Sequence, residues 1–227
     1  MTSYNAHIIP DKTSRHADPH NARQLLRAHR YGALGTLSKK FDGHPFTSIT
    51  PYLVDHDGSL LILISGLAEH TKNILHDSRV SLVTHNQEDP RIQTQGRVTV
   101  VGHAVFQPDR ELCGKRYLRY FPEAQTWFEM PDFNFYRITP LALRYIGGFG
   151  DIHWISNEKY LVPRYPLMQE EDELIAELNG KAGCTSLTGV DCDGYDLKVD
   201  GQIRRHAFAE QVLTAAAARE AILNQQG

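Results

Sequence analysis

Cysteine is scarce in this chain of 227 residues: Cys113, Cys184 and Cys192, an odd number with no C-x-x-C pair. That argues against a disulfide framework and a thiolate zinc site, and predicts reduced thiols in a cytoplasmic protein. Long apolar runs are missing too. No stretch approaches the roughly 18 residues that a spanning helix needs, so no membrane insertion is expected. The N-terminal "MTSYNAHIIPDKTSRHADPHN" lacks the apolar centre of a signal peptide. Neither sign of charge dominates: 24 Lys and Arg face 27 Asp and Glu, a net −3, which gives no electrostatic ground for nucleic-acid binding. No G-x-S-x-G, H-E-x-x-H or Walker A motif occurs, and Cys113 lies in a helix-like run without a recognisable partner. Catalysts that need an activated nucleophile or a resident metal are therefore not expected.

What is present reads as an ordinary globular chain, 41% hydrophobic and 22% charged. Asp18-Pro19 suits the cap and first position of a helix through "HNARQLLRAHR", with Ala22, Leu25, Leu26 and His29 on one face. Six strand-like runs follow: "YGALGTLS", "PFTSITPYLVD", "SLLILIS", "RVSLVTHN", "GRVTVVGHAVFQ" and "DFNFYRITPLALRYIGG". Short helices interrupt them at "AEHTKNILHD" and "PDRELCGKRYLRYFPEAQTWFEM". Tight turns without a repeated βαβ period predict an antiparallel barrel in an α+β protein. "NEKYLVPRYPLMQ" reads as a linker. After it come a short helix, a hairpin turning at Asp193-Gly194, a third strand and an alanine-rich helix. The expected division is an N-terminal arm at 1–18, the barrel at 19–163 and a small helix–hairpin–helix unit at 164–227. A unit of that size has a marginal core alone and should dock on the barrel or on a second subunit.

Two stretches could carry chemistry. In "LISGLAEHTKN" a strand hands over to a helix through Ser65-Gly66. A helix start leaves backbone N–H groups unpaired, so Ser65, His70 and Thr71 could hold a phosphate there; a plain helix cap gives the same pattern. Arg97, opening a strand, could add a bidentate contact beside that helix start, or be a solvated strand-edge arginine. Thr47, Ser48 and Thr50 lie on a neighbouring strand, where threonine is also simply a good strand former. The second stretch, "GGFGDIHW", bends a strand end next to His153 and Trp154. It could wall a planar-ligand pocket with His153 as ligand or hydrogen-bond donor, or be a tight reversal plugged by an aromatic. Asp132 stands at a strand start, where a turn-forming role accounts for it.

Together "SGLAEHTKN", "RVTVVGHA", "DFNFYRI" and "GGFGDIHW" resemble the FMN-binding split-barrel superfamily, the fold of pyridoxamine 5'-phosphate oxidase. Within it the chain is most similar to the heme-utilisation (HugZ/HutZ-like) branch, over roughly residues 19–163, with that branch's small α+β module behind. The resemblance implies a six-stranded antiparallel split barrel and a homodimer. FMN would rest its phosphate on the helix start after Ser65. His70 and Thr71 match positions that are usually basic in the oxidases, Arg97 matches one that is usually Gln, and Thr47 or Ser48 matches a phosphate-binding Arg. Each lost charge-assisted bond removes about 1.5–3 kcal/mol. The heme-utilisation branch implies heme instead, with His153, Trp154, His206 and Asp132 as candidate contacts. Its second unit usually opens on an H-x-N-x-x-H helix; here "ELNGKA" puts Glu177 and Ala182 at the His positions. Three functions follow: a flavin-dependent oxidoreductase, a heme-trafficking or heme-degrading protein, or a non-catalytic dimeric scaffold.

Overall fold

A computed structural model describes residues 18–86, 89–91, 93–148, 150–180 and 186–226. The predicted N-terminal arm, Cys184 and Ala182 lie outside them, apart from Asp18. Helix α1 (Pro19–Ala28) starts as expected, with Asp18 accepting from the His20 N–H and proline at the first position. Strands β1 (Tyr31–Leu37), β2 (Pro45–Pro51), β3 (Leu53–Val54), β4 (Leu60–Ser65), β5 (Arg79–His85), β6 (Arg97–Gln107), β7 (Phe133–Gly148) and β8 (Asp151–Ser156) form one sheet. Its order is β2-β1-β5-β6-β7-β4-β3, with β8 hydrogen-bonded to β7, and its pairings are antiparallel. Helix α2 (Glu69–His76) follows β4, and α3 (Arg110–Tyr120) with the single turn α4 (Gln125–Phe128) joins β6 to β7. The sheet curls into the split half-barrel expected from the sequence.

The sheet has eight strands where the sequence suggested six, for two local reasons. Pro51 cannot donate to a ladder, and Tyr52 turns inward, its hydroxyl donating to the Leu26 carbonyl at 2.9 Å; "PFTSITPYLVD" therefore splits into β2 and β3. The glycines of "GGFG" then reverse the chain, Gly150 at φ 82°, so "DIHWIS" folds back on β7 as β8.

Burial explains the apolar texture. Leu34, Leu82, Val98, Val100, Ile138 and Leu143 fill the inner face of the sheet beneath Ala22 and Leu26 of α1. Strand β4 is apolar from Leu60 to Ile64 because both its faces are covered there. Leu60, Ile62 and Ile64 point into the barrel, and Leu61 and Leu63 pack on Tyr117, Tyr120 and Phe121 of the α3 segment.

"NEKYLVPRYPLMQ" is no bare linker. It begins as the turn α5 (Asn157–Tyr160), and Tyr160 and Tyr165 are buried, their hydroxyls bonded to the Gly58 carbonyl and to His56 at 2.9 Å each. Helix α6 (Leu167–Asn179), strands β9 (Ser186–Asp191), β10 (Gly194–Val199) and β11 (Gln202–Ala207), and helix α7 (Ala215–Gln226) complete the chain. The three strands form a separate sheet with its own core around Leu174, Val190, Tyr195 and Ile222. This unit docks on the barrel's α1 and α3. The α1 face expected from the sequence holds at Ala22 and Leu26, but Arg23 and Arg27 are buried as well, held by Asp193.

Candidate functional site

The handover from β4 to α2 is closed by hydrogen bonds. The Ser65 hydroxyl donates to the Asp132 carboxylate at 2.6 Å and accepts from the Leu67 N–H at 3.1 Å. The Gly66 N–H donates to the Asp132 carbonyl at 2.7 Å. Thr71, fully buried, donates to the Ser65 carbonyl at 2.6 Å. His70 Nδ1 lies 3.0 Å from the Ser48 hydroxyl on β2, and desolvation pushes the His70 pKa down, toward the neutral ring. The α2 N-cap, Ala68, offers no side-chain bond, and Glu69 puts a carboxylate in the first turn. Ser48, Ser65, His70, Thr71 and Asp132 thus share one corner. Thr47 neighbours Ser48 on β2 and alternates to the opposite, exposed face.

Arg97 is not beside that helix start within one subunit, against the expectation from the sequence. Ser65 pairs with Phe133, whereas Arg97 pairs with Ile146, 13 residues further along β7. β6 and β4 lie on opposite sides of β7, so order on successive strands did not amount to convergence.

The far end of β7 carries the second group. His153 on β8 pairs with Tyr145, and its Nε2 lies 2.7 Å from the Asp151 carboxylate. Burial, then Asp151, raises the Tyr145 pKa. Trp154, exposed, faces the other way and has the Arg144 guanidinium over its ring at 5.4 Å. Asp132 belongs to the other corner, and His206 lies in the second sheet, stacked on Tyr195 with ring centroids 5.0 Å apart. The four candidate heme contacts therefore do not assemble in one subunit; His153 and Trp154 are adjacent on β8 but on its opposite faces. Glu177 is ion-paired with Arg219.

Two features were not legible in the sequence. A cleft of about 480 Å³ opens between α3, α6 and the β3–β4 hairpin. Most of its charges are matched internally: Arg137 with Asp55, Lys115 with Asp172, and Arg116 and His56 with Glu171. Asp191, Cys192 and Asp193 converge closely enough for a metal, but Arg205 and Arg27 hold the first carboxylate, and Arg23 and Arg27 the second. These carboxylates serve as anchors between the sheet and α1.

Comparison with known proteins gives the same picture. A model of the β-barrel of the CREG family matches residues 13–162. The chain is 34% identical over 140 residues to a non-canonical, chloroplastic heme oxygenase, HOZ, of Arabidopsis thaliana; the match covers 61% of this chain and 43% of that protein's length. Among solved structures, the Agrobacterium tumefaciens protein Atu2129, of unknown function, superposes with a TM-score of 0.78 at 24% identity, covering 96% of this chain and 98% of that one. A heme-binding protein of Mycobacterium smegmatis superposes with a TM-score of 0.59 at 23% identity, covering 94% and 100%. No helix among the described residues is long and apolar enough to cross a membrane. With most of its length matched, the barrel included, this chain belongs to the CREG β-barrel family, within the FMN-binding split-barrel superfamily.

Proposed function

We propose that this protein binds heme rather than FMN, as a homodimer, with His153 as the heme-facing imidazole. The observation that carries this reading is the 2.6 Å bond from Ser65 to Asp132. A phosphate dianion needs donors and fixed cations. Here the hydroxyl is committed to a carboxylate, and the one imidazole nearby is held toward its neutral form. FMN does not fit these residues.

Heme makes other demands: a neutral imidazole for the iron, an apolar face for the ring, and cations for its carboxylates. Asp151 orients His153: an Nε2–H donated to the carboxylate leaves the Nδ1 lone pair for a ligand. Ile152 and Trp154, both exposed, project from the opposite face of β8 with Arg144 over Trp154; on the face of His153 the ring across the ladder is Tyr145. When bound, heme supplies an iron that accepts a nitrogen donor and reacts with oxygen. The name of the Arabidopsis relative supports heme as the ligand class.

Dimerisation is supported by the outward face of the sheet. Val83 pairs with both Ala33 and Thr99, and Ser81 with Gly35 and Val101, in a half-buried patch of small side chains. Such a face suits a second copy. Residues 19–163 would then form the ligand-binding barrel and 164–227 an accessory unit.

Hemin titration tests the reading. A Soret band should saturate at one heme per chain, and His153→Ala should shift or abolish it. Unsaturable absorbance that His153→Ala leaves unchanged would remove heme, and unchanged melting with FMN as well would leave a dimeric scaffold. With reductant and oxygen added, loss of the band marks ring opening and persistence marks carriage.

A further inference from the structure

The β4–α2 corner should be open to anions in a split barrel, yet it is built against them. We propose that Asp132 is a specificity-determining residue: its carboxylate occupies the place of a phosphate oxygen on Ser65 and excludes phosphorylated flavins from the barrel. The inference deepens the heme reading and rests on it only for what the protein binds instead.

Three observations carry it. The Ser65 hydroxyl has one proton, and it is given to Asp132. The Leu67 N–H is spent on the Ser65 oxygen, and the Gly66 N–H on the Asp132 carbonyl. Two of these three donors are satisfied by Asp132, the residue before β7, and the third by Ser65 itself. Moreover, two carboxylates, Asp132 and Glu69, stand at the corner, while the nearby Arg110 guanidinium is spent on the Phe133 and Phe128 carbonyls. Glu69 adds a carboxylate at the helix start, where its interaction with the helix dipole is favourable and an incoming anion's is reduced. Lys72 on α2 lies 4.0 Å from Glu69. A phosphate placed here meets like charge and no free hydroxyl, and both terms oppose it.

The corner is also held rigidly. The Asp132 carbonyl is pinned by Gly66, and β7 begins at the next residue, Phe133, paired with Ser65 itself. The Asp132 backbone is therefore fixed at the start of the β4–β7 ladder, and a change confined to its side chain leaves the carbonyl bond intact.

The test compares FMN with riboflavin, which has the same ring system without the phosphate, by flavin-fluorescence quenching on the full chain. The variants are Asp132→Asn, Asp132→Ser and Ser65→Ala. Asp132→Asn and Asp132→Ser should each tighten FMN at least about tenfold and leave riboflavin unchanged, because only the like charge has been removed. Ser65→Ala keeps that charge and should gain nothing. Circular dichroism and melting identify any variant that fails to fold, and the two Asp132 substitutions make the result independent of either one. Wild-type protein that binds FMN at micromolar concentration or tighter would overturn the proposal. So would folded Asp132 variants without a gain, or with an equal gain for riboflavin. Hemin titration is read separately: its failure removes the heme reading and leaves the FMN outcome standing.

Discussion

Arg23 on α1 and Asp193 on the β9–β10 turn are 170 residues apart in sequence and meet through two hydrogen bonds, Nε to Oδ2 at 2.7 Å and Nη2 to Oδ1 at 3.1 Å. Both side chains are buried. Arg27 reaches the same carboxylate, and the Gln211 amide donates to it at 2.9 Å. This fork fixes the second sheet to the barrel. A buried pair with its hydrogen bonds satisfied is costly to break from one side, because the remaining charge is stranded. Arg23→Ala still leaves Asp193 with Arg27 and Gln211, and should destabilise the protein by about 1.5–3 kcal/mol for the lost charged hydrogen bonds, read as a lowered urea midpoint. An unchanged midpoint would show that the clasp contributes nothing.

Acid should loosen the same junction. Burial pushes the Asp193 and Asp191 carboxyls up, but Arg23 and Arg27 hold Asp193 far below the usual carboxylate range, and Arg205 and Arg27 hold Asp191 at about 2. Glu171, on the same unit, is likewise held low against burial by Arg116, His56 and Arg119. Folded values below the unfolded ~4 mean that this stabilisation is complete above roughly pH 5 and is lost as pH falls toward 2. Urea midpoints should be level from about pH 7 to 5 on account of these groups and drop steeply below about pH 4. A midpoint flat down to about pH 2 would contradict the assignment.

Gly189 marks where the second sheet approaches α3. A Cβ there would stand 1.8 Å from the Tyr120 hydroxyl oxygen, and that hydroxyl donates to Asp196 at 2.8 Å. Gly189→Ala must displace Tyr120 from its bond and should cost about 2–4 kcal/mol, overpacking and a broken buried bond together. Tyr120→Phe creates no clash and leaves Asp196 with Arg205 and Arg30, so it should cost about 1 kcal/mol. The two variants check the contact by their ratio in thermal or urea melts.

The contrast with the sequence follows from range. Asp18-Pro19 and the β-branched runs act through neighbours in the chain, and they gave the first helix and most strands. The pairing of Arg23 with Asp193 has no local signature: a helix with arginines beside its apolar face looks solvated until its partner arrives. The count of strands failed where one residue decides, at Tyr52 turning inward and at the glycine reversal after β7. At the site, the sequence brought Ser65 and His70 forward because a strand-to-helix handover is a local pattern. It offered Asp132 as a turn residue or a heme contact, since nothing near position 132 reveals that Ser65 is its partner. Arg97 was drawn to the same corner by strand order, which carries no register.

Asp151 tests the role given to His153. Asp151→Asn keeps the size of the partner at 2.7 Å and removes its charge. If the carboxylate orients the ring and raises its basicity as a ligand, the variant should bind hemin about 10–100-fold more weakly, with a shifted Soret band. Asp151→Glu should restore part of the affinity. A spectrum and affinity identical to wild type in Asp151→Asn would detach Asp151 from heme binding.

The outward sheet face tests dimerisation without touching either corner. Val83 is half-buried at the centre of β5, between Ala33 on β1 and Thr99 on β6, and its side chain points away from the barrel core formed by Leu82 and its neighbours. Arginine at this position keeps the fold, because the added length extends into solvent in a lone subunit. Across a two-fold interface it places like charges near each other in an apolar seam, at a cost of several kcal/mol. Val83→Arg should therefore be a folded monomer by light scattering, with melting close to that of a dissociated wild type. A wild type that is already monomeric, or a Val83→Arg dimer, would move the interface to another face of the molecule.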